Sequence, residues 1–465
     1  MKKSILFLIA FIAFLTGCTT SGSQFEENPV LTIEGGQIKG VKSDTEGVII
    51  YKGIPFAAPP VGDLRWKRPQ PVVSWQGVKM ADKFSDAAMQ RTRNPQDGQY
   101  GTEFHFLSDD PNYSEDCLYL NVWAPEYAPG HPDKKLPVAM WVHGGAYFGG
   151  WGFEMTMDGD AWAQRDVILV TINYRLGIFG FYNHPELTAE DPDHVSGNYG
   201  LLDQIAALKW VKNNIAQFGG DPDNIMIFGQ SAGGASIRNL CASPMSKDLI
   251  AKAIVQSGGG LGEFISTGEG KTQADFDQVG VELMNAMGFK SLAEMRAASA
   301  QDVYDAYGRV PRGVGGMLSP HTDGVILDKS FDQATYDKTL ADVPYMLGYT
   351  GDDMMDLSQP ILKFAAVRDS LSSKPTYCYL FDRKLPTDGR PSLQGAFHSS
   401  ELWFVFHTLG RSWRPFTEAD FKLSDDMVDA WTNFAKYSNP NGQSGNAWAP
   451  ATKDNPVIHE FKIQE

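Results

Sequence analysis

Residues 229–233 read Gly-Gln-Ser-Ala-Gly, with a largely apolar run at 224–228 before them and a helical pattern after. A serine between glycines at a strand-to-helix turn is a nucleophile elbow. The tight turn forces Ser231 into strained dihedrals that project its hydroxyl from the sheet edge. Gly229 and Gly233 let strand and helix approach without Cβ clashes. The helix starting behind the serine offers unpaired N–H groups and the positive end of its dipole. The chemistry this suits is nucleophilic acyl transfer. A second segment, His143-Gly144-Gly145-Ala146-Tyr147, follows the apolar run at 138–142. Its glycines free backbone N–H groups to receive a developing oxyanion. The N–H groups of Gly144, Gly145 and Ala232 are expected to form the hole, where losing one donor costs about 3 kcal/mol in the transition state.

Acyl transfer from a serine also needs a base, and an acid to orient the base. Nine histidines are available. His143 reads as a brace of the glycine loop. His398, in Gly395-Ala396-Phe397-His398-Ser399-Ser400-Glu401-Leu402, lies late in the chain and satisfies the Ser–acid–His order of this elbow type. On composition alone His321, His407 and His459 remain open, although His407 sits among aromatics and His459 in an apparent strand. The acid then lies between 231 and 398. Tyr147 and Phe148, with Trp151 and Phe153, follow the glycine loop, while Trp403 and Phe404, with Phe406, follow the histidine. These are candidates for an apolar acyl or alcohol pocket. No metal is implied, because the Asp and His residues show no ligand spacing on a shared helix or strand.

These residues must be carried by regular elements. Short apolar runs at 117–123, 138–142, 167–172, 225–228, 253–255, 345–347 and 377–381 alternate with helical patterns at 200–218, after 231 and at 423–436. That rhythm predicts an α/β protein with a mainly parallel sheet. Residues 29–53 read as antiparallel strands, 54–115 as Pro- and Gly-rich surface loops, and 457–461 as an edge strand. Residues 262–320 read as a cap-like insertion of polar helices within one catalytic unit, 29–465. The 465 residues are 42% hydrophobic and 21% charged, as in ordinary globular proteins. With 40 Lys and Arg against 56 Asp and Glu, the net charge of -16 argues against nucleic acid or an anionic membrane as main partner. It also mildly disfavours polyanionic substrates.

The N-terminus reads as a targeting segment. Lys2 and Lys3 precede an apolar run at 5–15, too short to span a bilayer and suited to a signal peptide. Leu15-Thr16-Gly17-Cys18 resembles the lipobox of bacterial lipoproteins. The resemblance implies a signal peptide over 1–17, lipidation at Cys18, a tether over 18–28, and an exported body held to the cell envelope by lipid alone. Cys117, Cys241 and Cys378 remain, an odd number that leaves at least one free thiol.

Further segments carry a wider resemblance. They are Tyr51-Lys52-Gly53-Ile54-Pro55-Phe56-Ala57, Pro60-Val61-Gly62 with Arg65-Trp66, Glu115-Asp116-Cys117-Leu118-Tyr119-Leu120-Asn121-Val122, Asn173-Tyr174-Arg175-Leu176-Gly177, Gly197-Asn198-Tyr199-Gly200-Leu201 with Asp203-Gln204, and Phe218-Gly219-Gly220-Asp221-Pro222. With the glycine loop and the elbow, the chain resembles the type-B carboxylesterases, the group that includes cholinesterases and bacterial p-nitrobenzyl esterase-like enzymes, from about residue 29 to 461. The resemblance implies an α/β-hydrolase fold, with a large mostly parallel sheet flanked by helices, and hydrolysis of small-molecule esters through an acyl-enzyme without a cofactor. Its nucleophile falls on Ser231, its histidine on His398 and its oxyanion donors on Gly144, Gly145 and Ala232. The acid departs from the family, whose usual Glu falls here on Asp353 in Gly348-Tyr349-Thr350-Gly351-Asp352-Asp353-Met354. Asp is shorter by roughly 1.5 Å of reach, and Asp352 stands beside it as an alternative. Asp323 matches a structural segment of the family. Members often pair the cysteine at Cys117 with one upstream. Residues 85–89 hold none, so Cys117 is expected to be unpaired. Two other readings stay open, a non-catalytic binding protein on this fold and another serine acyl-transfer enzyme such as a thioesterase, amidase or transacylase.

Overall fold

The computed structural model describes residues 28–107, 110–262, 268, 270–311, 313–314 and 316–463. The expected signal peptide, Cys18 and the tether up to residue 27 lie outside the described residues. Ten strands form the central sheet: β1 (Val41–Lys42), β2 (Val48–Pro55), β3 (Tyr119–Pro125), β4 (Leu136–Val142), β5 (Ile168–Ile172), β6 (Gly220–Gln230), β7 (Lys252–Gln256), β8 (Tyr345–Thr350), β9 (Thr376–Phe381) and β10 (His459–Phe461). Their spatial order is β10-β9-β8-β7-β6-β4-β5-β3-β2-β1. The pairings from β5 round to β10 are parallel. Those joining β5 to β3, β3 to β2 and β2 to β1 are antiparallel.

Side-chain alternation explains the continuous apolar runs. In β4, Val138, Met140 and Val142 face one apolar core, while Ala139 and Trp141 face the other. β6 repeats this with Ile225 and Ile227 against Met226 and Phe228. A parallel strand covered on both faces has no polar side to show. The edge strand β10 is where the sequence pattern expects it.

Element ends differ from the sequence expectation for local reasons. The pattern at 200–218 divides into the helix Tyr199–Asn214 and a 3-10 turn, Ile215–Phe218, stopped by Gly219 at φ 82°. β6 begins at Gly220, because Gly220 already pairs with Leu136 before the register shifts at Ile225. The last helix runs over Glu418–Tyr437, longer than its apolar pattern, since its first turn is a polar capping box of Thr417 and Asp420. Residues 54–115 are not loop throughout: Val78–Met80 is a strand beside Gly36–Lys39, and Gly98–Phe104 is a helix. Among the described residues four helices, Gln273–Met287, Leu292–Ala297, Ala300–Gly308 and Phe331–Tyr336, stand between β7 and β8.

Several charged residues of the sequence motifs are buried in pairs. Arg65 meets Glu115 through two bonds of 2.7 and 2.6 Å, and Arg175 meets Asp203 through 2.8 and 2.7 Å. Asp323 accepts the N–H groups of Val325, Ile326 and Leu327 and the Asn198 amide, which is a structural role. Cys117, Cys241 and Cys378 are buried free thiols, and burial raises each thiol above its ordinary value.

Candidate functional site

The elbow is built where β6 ends. Ser231 has φ 58° and ψ −123°, and the helix Ala232–Ala242 starts at the next residue. Such a backbone costs a non-glycine residue about 1–3 kcal/mol and persists only where the surroundings impose it. Close packing does so here. A Cβ on Gly229 would lie 2.6 Å from the Gly233 backbone, and one on Gly233 would lie 2.1 Å from the Val142 carbonyl oxygen. The Ser231 N–H is tied to the Gln256 carbonyl at 2.9 Å.

The glycine loop lies directly against the elbow. A Cβ on Gly144 would sit 3.2 Å from that of Ser231 and 2.7 Å from the Gln230 carbonyl oxygen. Gly145 adopts φ 102°, and the next two residues, Ala146 and Tyr147, also have positive φ, at 55° and 64°. Among the described residues no backbone acceptor pairs with the N–H of Gly144 or Gly145. Ala232, first in its helix, has no intrahelical partner for its N–H. His143 braces this loop. Its ring stacks on Tyr174 at 4.4 Å, its Nδ1 donates to the Gly144 carbonyl at 2.9 Å, and the Tyr174 hydroxyl donates to the His143 carbonyl. Burial lowers its imidazole to about 4, so it is neutral at pH 7.

His398 and the acidic loop after β8 meet beside the elbow. His398 Nδ1 is 2.6 Å from Asp353 Oδ1, with side-chain exposures of 5% and 1%. The other carboxylate oxygen accepts the Ser257 hydroxyl at 2.6 Å and the Thr350 N–H at 3.2 Å. Burial pushes the Asp353 carboxyl up, but the hydrogen bond and charge of His398, with Ser257 and Thr350, outweigh it and hold the group below the usual range. Asp352 does a different job. Its carboxylate accepts the Ala396 N–H at 2.8 Å, and its own N–H binds the Ala396 carbonyl, stitching the histidine loop to the acidic loop. The shorter Asp therefore reaches the ring because the two loops are laced together one residue before Asp353 and two before His398.

With Nδ1–H directed at Asp353, His398 Nε2 is left as an acceptor. That nitrogen is 3.3 Å from the Gln230 amide nitrogen, while the Ser231 hydroxyl has no hydrogen-bond partner among the described residues. Ser231, His398, Gly144 and Gly145 all line one cavity of ≈ 470 Å³. His321, His407 and His459 are elsewhere: His321 packs on Phe276, His407 binds Ser424, and His459 stacks on Trp448.

The aromatic pocket expected from the sequence needs correction. Phe148 lines the cavity, whereas Tyr147, Trp403 and Phe404 do not. Tyr147 is buried against Phe181, with its hydroxyl accepting from Ser236. Trp403 donates its indole N–H to Glu103, and Phe404 packs on Phe381. The positive φ values after Gly145 turn Tyr147 inward, and the turn from Leu402 to Val405 puts its large side chains into the core. The cavity wall comes instead from residues 91–105, with Arg91, Arg93, Tyr100 and Phe104, and from Tyr304. Sequence reasoning also missed Ser257, Gln230 and Glu401. Glu401 is wholly buried, with neither carboxylate oxygen in a well-aligned hydrogen bond, and burial raises it to about 7, with His398 opposing, the neighbouring Asp353 charge adding, and its own N–H and the Gln256 amide weakly opposing.

A strained serine at the end of a parallel strand, a histidine–carboxylate pair and a glycine loop against the serine together define an α/β hydrolase. The carboxylesterase family model matches residues 27–370 and 355–465, and the chain belongs to that family. It is a carboxylic ester hydrolase. The chain is 38% identical to a fumonisin B1 esterase of Sphingopyxis macrogoltabida over 69% of its own length, and this match spans 55% of the relative. It is 32% identical to the para-nitrobenzyl esterase of Bacillus subtilis (strain 168), covering 93% of each chain. A solved PNB esterase superposes with a TM-score of 0.80 at 29% identity, covering 94% of this chain and 96% of the other.

Proposed function

We propose that the protein hydrolyses small carboxylic esters through an acyl-enzyme on Ser231. The observation that carries this reading is the 2.6 Å contact of His398 with Asp353, in the cavity that also holds the strained Ser231. His398 Nε2 takes the Ser231 proton as Oγ bonds to the ester carbonyl carbon. For this the serine hydroxyl replaces the Gln230 amide at Nε2. The oxyanion is received by the N–H groups of Gly144, Gly145 and Ala232. The imidazolium then protonates the leaving alcohol as its C–O bond breaks. Water repeats the sequence, giving a proton to His398 and hydroxide to the acyl carbon, and Ser231 leaves with that proton. Asp353 holds the ring in the Nδ1–H tautomer throughout.

The body is proposed to hang from the bacterial cell envelope by lipid on Cys18, after removal of residues 1–17. The leader composition and the Leu15-Thr16-Gly17-Cys18 run support this. Incorporation of labelled palmitate that survives Cys18→Ser would refute it. The esterase reading is tested by treating the full chain with a fluorophosphonate and following p-nitrophenyl butyrate turnover. One adduct, on Ser231, is expected. Ser231→Ala should lose the adduct and about 10⁴-fold or more in kcat with its thermal unfolding little changed. Undiminished turnover in that variant overturns the reading.

A further inference from the structure

A chain of net charge -16 places two arginines, Arg91 and Arg93, in the wall of its substrate cavity. They are not equivalent. Arg91 is largely exposed and paired with Asp97. Arg93 is half-buried and reaches the glycine loop: a Cβ on Gly149 would lie 2.0 Å from its Nη2, and one on Gly145 would lie 3.4 Å away. Its positive charge also helps to depress the His143 imidazole, after burial and against the bond to Gly144.

Arg93 is held in a built frame. Its backbone N–H donates to Asp110 Oδ2 at 2.8 Å, an oxygen that also accepts the Tyr113 hydroxyl at 2.6 Å. Its Nη1 donates to His105 Nε2 at 3.3 Å. That nitrogen must then be the unprotonated one, so His105 carries its proton on Nδ1 and faces Asp110 Oδ1 at 3.2 Å. The guanidinium is thus oriented through a neutral imidazole and touches no carboxylate among the described residues. Glu154, also in the cavity wall, has Oε1 on the Trp151 N–H. Arg93 Nε and Nη2 keep their N–H groups without a protein acceptor among the described residues. A planar donor fork left open toward a cavity, beside the oxyanion donors, is suited to a carboxylate.

We propose that the substrate is an ester bearing a free carboxylate, which Arg93 binds while the ester carbonyl occupies the oxyanion site. This rests on the esterase reading above. The local guanidinium, within hydrogen-bond reach of the bound anion, outweighs a diffuse surface charge screened over a Debye length of about 8–10 Å. The expectation from overall charge concerns polyanionic substrates, and a single carboxylate held inside the cavity does not conflict with it.

The test compares charged and neutral esters of one shape on the full chain. One pair carries the charge on the acyl side, mono-4-nitrophenyl adipate and its methyl ester. The other carries it on the alcohol side, 3-acetoxybenzoate and its methyl ester. In at least one pair the wild type should favour the acid by about tenfold or more in kcat/KM, a preference that shrinks as salt rises. Arg93→Met should abolish that preference mainly through KM, and Arg93→Lys should restore part of it. Equal losses on acid and neutral esters in Arg93→Met would mean that Arg93 acts on the oxyanion of every ester, which overturns the proposal. So would neutral-ester turnover without any acid preference in the wild type. No turnover of any ester and no phosphonate adduct would instead overturn the esterase reading beneath it.

Discussion

The cavity has two walls of different construction. One is made by strand ends: the elbow after β6, the glycine loop after β4 and the acidic loop after β8. Its key positions are set by backbone contacts, with Gly144, Gly229 and Gly233 each too close to neighbouring main chain to carry a Cβ. The other wall, residues 91–105, is a loop and a short helix tied to the body by side chains. Its main anchor is Glu103, wholly buried, which takes Arg414 in a bidentate pair and the Trp403 indole N–H at 2.9 Å. The lesson is a division of labour. The elbow, the glycine loop and the carboxylate that meets His398 leave directly from the ends of sheet strands, where small misplacement would be costly. Groups that choose the substrate sit on a loop that can change without disturbing the chemistry.

This contrast can be broken at either wall. The largest effect is expected from Asp353→Asn on the sheet side. It should reduce kcat by about 10⁴-fold, because an amide no longer fixes the Nδ1–H tautomer. The loss should be equal for charged and neutral esters in steady-state kinetics, with the fold retained by circular dichroism. Unequal losses would show that the sheet wall also selects substrates.

Next comes Glu103→Ala on the loop side. It leaves Arg414 buried without its partner and should cost about 3–5 kcal/mol in urea unfolding. Limited proteolysis should then cut first within residues 91–107. Cleavage elsewhere first would mean that the loop wall is anchored by other contacts.

Glu401, beneath the sheet wall, gives a pH signature. Its folded value of about 7 lies above the ordinary 4.5. The folded state therefore holds an extra proton between about pH 4.5 and 7, and this contribution to stability is lost as pH rises through that window. The wild type should lose up to about 3 kcal/mol relative to Glu401→Gln across it, read as Tm against pH. Parallel curves would remove Glu401 as the source. The smallest effect is expected from Tyr100→Phe, which loses one 3.3 Å bond to the His398 carbonyl at a partly exposed site. Stability should change by about 0.5–1 kcal/mol and kcat by less than about threefold.

The two walls also differ in how readable they were. The elbow and the glycine loop are legible because steric constraint writes itself as glycine at fixed positions. The strands are legible because burial on both faces leaves unbroken apolar runs, as at Val138–Met140–Val142. Asp353 and Asp352 are chemically identical neighbours. Only the pairing of Asp352 with Ala396 turns one carboxylate toward the backbone and leaves the other for His398. The aromatics were misread because apolarity is the same signal whether a ring lines a cavity or fills a core. Tyr147, Trp403 and Phe404 fill the core.

The amino-acid sequence was sufficient for the α/β architecture, the serine and its glycine loop, and the histidine that follows late in the chain. Each rests on a local rule, a periodicity of burial or a turn that only glycine permits. Tertiary structure alone decided which carboxylate meets His398, which aromatic faces the cavity and that Arg93 stands beside the glycine loop. Those facts depend on residues far apart in the chain, such as Arg93 and Gly149 or Glu103 and Arg414, whose approach leaves no mark in the spacing of either segment.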